Sequence, residues 1–539
     1  MLTWNTQKTS GSPDWLRGIF LGLTILVCAW MLYPNIDFPD GGMFAQGDNG
    51  LHLYVYSQTA HGALPYHDYW WCYGPLMPFY YAGFLKVLGF TIPSILIGQI
   101  VLNILSAVIF FLTLTRFCSL FYAFAAAIFF ITQGINFPHT QNHAGGVVLL
   151  LALIYVLTGF ISGRSGPKNI LACSLIVFLL GIIKLNFGVI AGLIVVLART
   201  APVFAPQGLL PLTPRRSLIV PVAGALGCSF LVYGIFFIGE PFDHIKQNLL
   251  FFGNDQVPRI SPYIGLYLFF QLLIKYLFAN PLLIGLLLLS LFNLYLPREQ
   301  TEDASRGRTL LLLFLVMVLS LHEYLLSGMD YRWIWAKPSL LLMIFLAAYP
   351  LLRERRLLRS LVSGIMVLAT IGNALGARGL MNQYRNADHY FNHPRAKAFI
   401  ANDPAWKTTV LDATRYLQKN LAPQELFFAA PYEPIYYYLL DKPSPVRYLV
   451  FFQFLQPTRK QDEEIIRILE SKKVNWVVLS NRANSLETGL GKFGVTHCQL
   501  LNQYIEKNFS LAAQFGPWDQ PAVWVVNHAV RILKRKQPL

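Results

Sequence analysis

The sequence is dominated by a succession of apolar runs, each near the length of a bilayer crossing, separated by loops that hold most of the charge. A membrane hydrocarbon core takes about 20 apolar residues per helix, and fewer where a helix sits inside a bundle. On that measure the runs at 16–34, 92–115, 118–136, 144–163, 168–184, 186–199, 217–239, 279–297, 309–327, 335–352 and 358–377 are expected spans, about eleven in all. The runs 168–184 and 186–199 are short and meet at Lys184-Leu185-Asn186. The apolar stretch 262–278 carries Gln271 and Lys275 and is assigned to the interface. With 55% hydrophobic and 13% charged residues in 539, and a mean hydropathy of +0.46, lipid has to act as part of the solvent.

A formal charge of +16 raises the question of nucleic acid. The basic residues form short clusters between apolar runs rather than one polar face, so the charge reads as membrane topology and no nucleic-acid partner is expected. Alternate loops separate it. One side holds fifteen cations, among them Arg116, Arg199, Arg215, Arg216, Arg353, Arg355 and Arg356; the other holds Lys86, Lys184, Lys246, Arg259, Lys275 and Arg332. The positive-inside rule then puts the N-terminus in the cytoplasm, and loop 35–91, loop 240–278 and everything after 378 outside. The first run follows Trp15 and Arg17, lacks a small-residue cleavage site and precedes many more spans, so it is a retained helix. Four of the six cysteines lie in apolar runs and no CxxC occurs, which indicates neither a disulfide framework nor a zinc site.

Residues 400–539 change character. A helical pattern at 407–420 precedes the strand-like Leu426-Phe427-Phe428-Ala429-Ala430, a second at 461–473 precedes Val474 to Leu479, and Ala522 to Val526 is again strand-like. Helices alternating with short apolar strands predict a small α/β domain. The expected organisation is a helical membrane domain over 1–378, with a large first exterior loop at 35–91, and an exterior α/β domain over 379–539.

Loop 35–91 is the densest polar and aromatic stretch. It contains Gly47-Asp48-Asn49-Gly50-Leu51-His52, then Gly62-Ala63-Leu64-Pro65-Tyr66-His67-Asp68-Tyr69, then Tyr73-Gly74-Pro75-Leu76. A loop of that length with its own helical patterns is usually functional. Residues 49–61 and 75–88 suit interfacial helices, with Trp70, Trp71, Tyr80 and Tyr81 at headgroup depth. The Asp after the first span, the Gly62-to-Asp68 phrase and Gly74-Pro75-Leu76 resemble the first loop of GT-C glycosyltransferases. These multi-span enzymes use polyprenyl-phosphate sugars and include protein O-mannosyltransferases and lipid A aminoarabinose transferases. The resemblance extends to Lys184 at the outer end of a span, to Asp330-Tyr331-Arg332 before a span containing Pro338, and to Ala430-Pro431-Tyr432 in the tail.

The resemblance implies Asp48 as the base that takes a proton from the acceptor hydroxyl, worth about 10²–10⁴ in rate, with Asp68 as a second site carboxylate. Ordinary roles stand beside these: a helix N-cap for Asp48 and a turn residue for Asp68. Lys184 is an ionisable residue between apolar neighbours and thus a candidate ligand for the donor phosphate; snorkelling is the alternative. Arg332, with a pair to Asp330 or Glu323 as its alternative, and Arg259 are further phosphate candidates. His52, Tyr66, Tyr331, His139 and His143 are candidate substrate contacts. The family often has another acid between its third and fourth spans, where this chain has Asn136-Phe137-Pro138-His139-Thr140-Gln141-Asn142-His143. A divalent cation therefore stays open, and two histidines alone do not complete a coordination shell. Gly489 to Gly494 matches GxGxxG without a strand-turn-helix setting, and Lys534-Arg535-Lys536 reads as a solvated tail.

The function these features imply is transfer of a sugar, with inversion, from a polyprenyl-phosphate donor to a glycan, lipid or protein acceptor. Transfer is expected on the exterior face of a membrane, and the composition suits a bacterial inner membrane. Rival readings are a polysaccharide polymerase or ligase working through outer-loop cations such as Arg259, a transporter, or an assembly scaffold. A transporter would show inverted repeats and midplane helix breaks; no repeat relates the halves of this sequence, and its polar residues gather at one face.

Overall fold

A computed structural model of the chain describes residues 13–39, 44, 47–133, 141–161, 167–201, 216–249, 260–292, 302–401, 404–455, 457–484, 491–520, 522 and 526–537. Every expected span contains a helix. Six described helices are long and apolar enough to cross a membrane, and seven if the bent pair Pro262–Phe278 and Pro281–Phe292 is one span. That pair turns through 106° at its break, where Pro281 starts the second helix without an N–H to continue the first. The expectation of eleven crossings exceeds this count because Leu120–Thr132, Pro167–Ile183 and Leu185–Thr200 are apolar but short, and Lys337–Glu354 carries three charges in its 18 residues. The chain is a multi-pass integral membrane protein.

The described residues form two compact units, each built from separate stretches of sequence. The first unit comprises those within Met1–Tyr33, Gln99–Val232 and Arg259–Ala377. Its core is aromatic and small at once. Phe110 stacks on Phe130 with ring centres 4.3 Å apart, and Ala123, Ala125, Ala126 and Ala127 on Leu120–Thr132 are fully buried. Small residues let membrane helices approach closely where water supplies no driving force. Helices Pro167–Ile183 and Leu185–Thr200 meet at Gly181 and Gly188. A Cβ on Gly188 would lie 2.5 Å from the Gly181 Cα, so only glycine allows this contact. Lys184 bridges the two helices in an extended conformation.

The second unit comprises the described residues within Pro34–Gly98, Tyr233–Pro258 and Arg378–Leu539. A two-stranded antiparallel pair, β1 (Tyr390–Phe391) and β2 (Ala398–Phe399), precedes a four-stranded sheet of β3 (Phe427–Ala430), β4 (Trp476–Ser480), β5 (Phe509–Phe515) and β6 (Val530–Arg535). The sheet order is β3-β4-β6-β5, with β3 and β4 parallel and the other pairs antiparallel. The parallel strand β3 is buried on every residue, which is why it reads as an unbroken apolar run. Arg459–Ser471 and Gln499–Asn508 bury Ile465, Leu469, Leu501 and Ile505 against Phe428 and Val477. Pro404–Asn420 lies on the other side, with Tyr416 against Trp476 and Phe515. Val523 to Val525 of the expected third strand lie outside the described residues; β6 follows them. The basic end is not a free tail: Arg535 is buried in β6, stacks 4.6 Å from the Phe509 ring and donates to the Tyr504 hydroxyl at 2.6 Å. Its long stem hides in the sheet while its charge finds an aromatic face.

Two buried histidines in this unit make its stability depend on pH. Burial lowers both His393 and His528 to about 4; Arg395 and Arg415 push His393 the same way, while at His528 Glu433 opposes and Arg482 reinforces. The unfolded chain takes up these protons near pH 6.5 and the fold does not, so stability falls as pH drops from 6.5 towards 4 and levels off below. Thermal unfolding of the detergent-solubilised protein should show this fall, and His393→Gln should remove about one proton from it. A midpoint flat between pH 7 and pH 4 would contradict the assignment.

Candidate active site

Helix Gly47–Ala60 is buried along nearly its whole length, and Asp48 in its first turn is the exposed exception. The helix lies against Pro434–Leu440 of the same unit. A Cβ on Gly47 would sit 2.2 Å from Tyr432 Cδ1, and one on Gly50 would sit 2.9 Å from the Ile435 nitrogen. Both glycines are required by that approach, and it brings the Tyr432 hydroxyl to donate to Asp48 Oδ1. Tyr432 is 3% exposed; burial first, and then the Asp48 carboxylate beside it, hold its phenol well above the usual range. Tyr432 is therefore a hydrogen-bond donor at every physiological pH, which leaves Asp48 as the proton acceptor of the two.

The turn carrying Tyr432 is anchored by charge. Glu433 accepts from Arg482 Nε at 2.8 Å with both side chains almost fully buried, and His528 Nε2 stands 4.0 Å from the same carboxylate. Tyr432, Glu433 and Arg482, with Gly47, Gly50 and Trp406, line a cavity of about 10 Å³, room for a single water.

The other first-loop candidates have structural partners. Asp68 accepts from the Leu64 N–H at 2.7 Å through one oxygen and meets His67 Nδ1 at 2.9 Å through the other, closing the turn after Pro65. His67 in turn faces Glu240 at 3.8 Å, which holds His244 at 2.9 Å and Arg447 at 3.4 Å. Tyr66 has φ +70°, is fully buried among Tyr233, Phe236 and Phe237, and donates to the Tyr73 carbonyl. His52 is buried against Tyr56 and Trp71. Trp70, Trp71 and Tyr81, expected at headgroup depth, are buried inside the unit, with Trp71 Nε1 donating to the Gly74 carbonyl at 3.1 Å. The phrase from Gly62 to Leu76 thus builds the fold around Asp48.

The first unit holds the cationic candidates. Lys184 is 6% exposed and paired with Glu323, itself 7% exposed. Asn186 donates to Glu323 Oε1 at 2.8 Å and lies 2.9 Å from His322 Nε2. Glu323 therefore partners Lys184, where the sequence suggested it for Arg332. Arg332 and Tyr331 are half-buried neighbours, with the guanidinium Nε 3.4 Å from the Tyr331 hydroxyl. His143 is buried beside Trp335, whose ring stacks on Phe187 at 3.6 Å. Arg259 and His139 lie outside the described residues. Among the described residues, no three His, Cys, Asp or Glu side chains come together as metal ligands.

Sequence reasoning missed Tyr432 as the Asp48 partner and Lys337 altogether. Lys337 is 5% exposed at the start of helix Lys337–Glu354, and its ammonium donates to the Gln133 carbonyl. An available signal was a lysine inside an expected span, at 335–352.

The fold has solved counterparts. ArnT from Cupriavidus metallidurans bound to undecaprenyl phosphate superposes with a TM-score of 0.57 at 11% identity, over 96% of this chain and 98% of that one. Its apo state gives 0.58 at 11% identity, over 97% and 98%. The chain shares the ArnT fold. The GT-C resemblance read from the first loop therefore holds at the level of architecture, over nearly the whole length. No protein-family model matches the sequence, and no curated protein matches it either.

The buried Glu433–Arg482 pair should behave as a scaffold for Tyr432. Removing one partner of a buried ion pair costs about 3–5 kcal/mol, whereas replacing both by apolar residues is often near neutral. Arg482→Met should lower the thermal unfolding midpoint sharply, and adding Glu433→Leu should restore most of it. An additive loss in the double variant would show that the pair does not act as a unit.

Proposed function

We propose that the chain is an inverting glycosyltransferase that moves a sugar from a polyprenyl-phosphate donor to an acceptor hydroxyl on the exterior face of the membrane. The observation that carries this reading is Asp48: an exposed carboxylate on an otherwise buried helix, fixed by a phenol that stays protonated. The ArnT fold supports the donor class, since one of the superposed ArnT structures is bound to undecaprenyl phosphate. Asp48 takes the acceptor proton as the acceptor oxygen bonds to the anomeric carbon. The bond from that carbon to the phosphate oxygen breaks on the opposite side, and the polyprenyl phosphate leaves as an anion. The leaving group needs cations rather than a strong acid. Tyr432 positions the carboxylate without exchanging a proton.

Asp48→Asn should lower transfer from a radiolabelled polyprenyl-phosphate sugar by about 10²–10⁴ while leaving lipid-phosphate binding intact. Tyr432→Phe should cost about tenfold in kcat with little change in KM, because one hydrogen bond to a charged group is lost and water can replace it. Turnover by the Asn variant equal to the parent would overturn the reading.

A further inference from the structure

Among the described residues of the first unit two lysine side chains are buried, and they are partnered differently. Lys184 has Glu323 against it, with Asn186 fixing the same carboxylate. Lys337, 5% exposed, donates to the Gln133 carbonyl and sits 4.7 Å from the Tyr276 ring centre and 5.1 Å from that of Trp333. Among the described residues no carboxylate lies within ion-pair distance of it.

Ring faces and a carbonyl oxygen attract an ammonium group, but they are dipoles and do not neutralise it. Its position adds a second imbalance. Lys337 opens helix Lys337–Glu354, and the start of a helix favours an anion and disfavours a cation. The surroundings are nevertheless built: the Tyr276 hydroxyl donates to Gln133 Oε1 at 3.0 Å, which fixes the residue whose carbonyl receives the lysine. A lysine kept at such a position in an apolar bundle is a candidate functional residue.

We propose that Lys337 binds a phosphate oxyanion, that of the lipid-linked donor, and that Lys184, already neutralised by Glu323, is not its principal ligand. A compact oxyanion completes an ammonium group as a point charge. The proposal rests on the reading of the chain as a polyprenyl-phosphate-dependent transferase.

The test measures binding to the full chain in nanodiscs, with undecaprenyl phosphate, undecaprenol and inorganic phosphate as separate probes. The parent should bind undecaprenyl phosphate and not undecaprenol. Lys337→Met and Lys337→Gln should each weaken that binding at least about tenfold, and the ligand-free Met variant should unfold no earlier than the parent. Lys184→Met should keep affinity within about threefold once expressed with Glu323→Gln. Parent-like affinity in both Lys337 variants would overturn the proposal while leaving the transferase reading in place. Equal binding of undecaprenol and its phosphate by the parent would overturn both. Lysine-dependent binding of inorganic phosphate alone would overturn the assignment to a lipid headgroup.

Discussion

An ammonium group packed among apolar helices needs an anion, and this protein supplies one at Lys184 but none from the described residues at Lys337. The difference organises the first unit. Around Lys184, two helices held at a glycine contact leave a single extended residue whose side chain meets Glu323, and Asn186 and His322 complete a polar cluster that is internally balanced. Around Lys337, aromatic rings and a carbonyl soften a charge that they do not cancel. A balanced pair is a structural element; an unbalanced one is an invitation to a ligand.

The second unit solves the opposite problem. It must keep one carboxylate in water on a helix that is otherwise buried. Gly47 and Gly50 allow Pro434–Leu440 to close on that helix, and the closure delivers Tyr432 to Asp48. The ion pair of Glu433 and Arg482 sets the turn from which Tyr432 projects. Burial keeps the phenol protonated, so the hydrogen bond has one direction and the carboxylate one role.

What was legible in the sequence follows from the range of each signal. Hydropathy is local, so helices were readable at every expected span. Whether Leu120–Thr132 or Pro167–Ile183 crosses lipid depends on its neighbours and was not. The helix at Pro404–Asn420 and the strands at Phe427–Ala430 and Trp476–Ser480 followed from periodicity and turn residues. Asp48 was readable because a motif places it. Tyr432 is 384 residues away along the chain, and nothing local records that contact. Asp68 and Tyr66 were named through the first-loop resemblance, and in the structure Asp68 closes the turn after Pro65 while Tyr66 is buried among aromatic rings; Trp71, expected at headgroup depth, is buried inside the unit. Lys337 lies inside the expected span 335–352, and only the fold shows that its side chain meets Gln133, more than 200 residues earlier.

The donor phosphate is proposed to sit on Lys337, which has no described carboxylate within ion-pair distance. That placement is tested most directly by a cryo-electron-microscopy map of the protein with undecaprenyl phosphate bound. The account predicts a phosphate oxygen about 2.7–2.9 Å from Lys337 Nζ, with the Lys184–Glu323 pair intact. A headgroup seated on Lys184 with Glu323 displaced, or remote from both lysines, would contradict it.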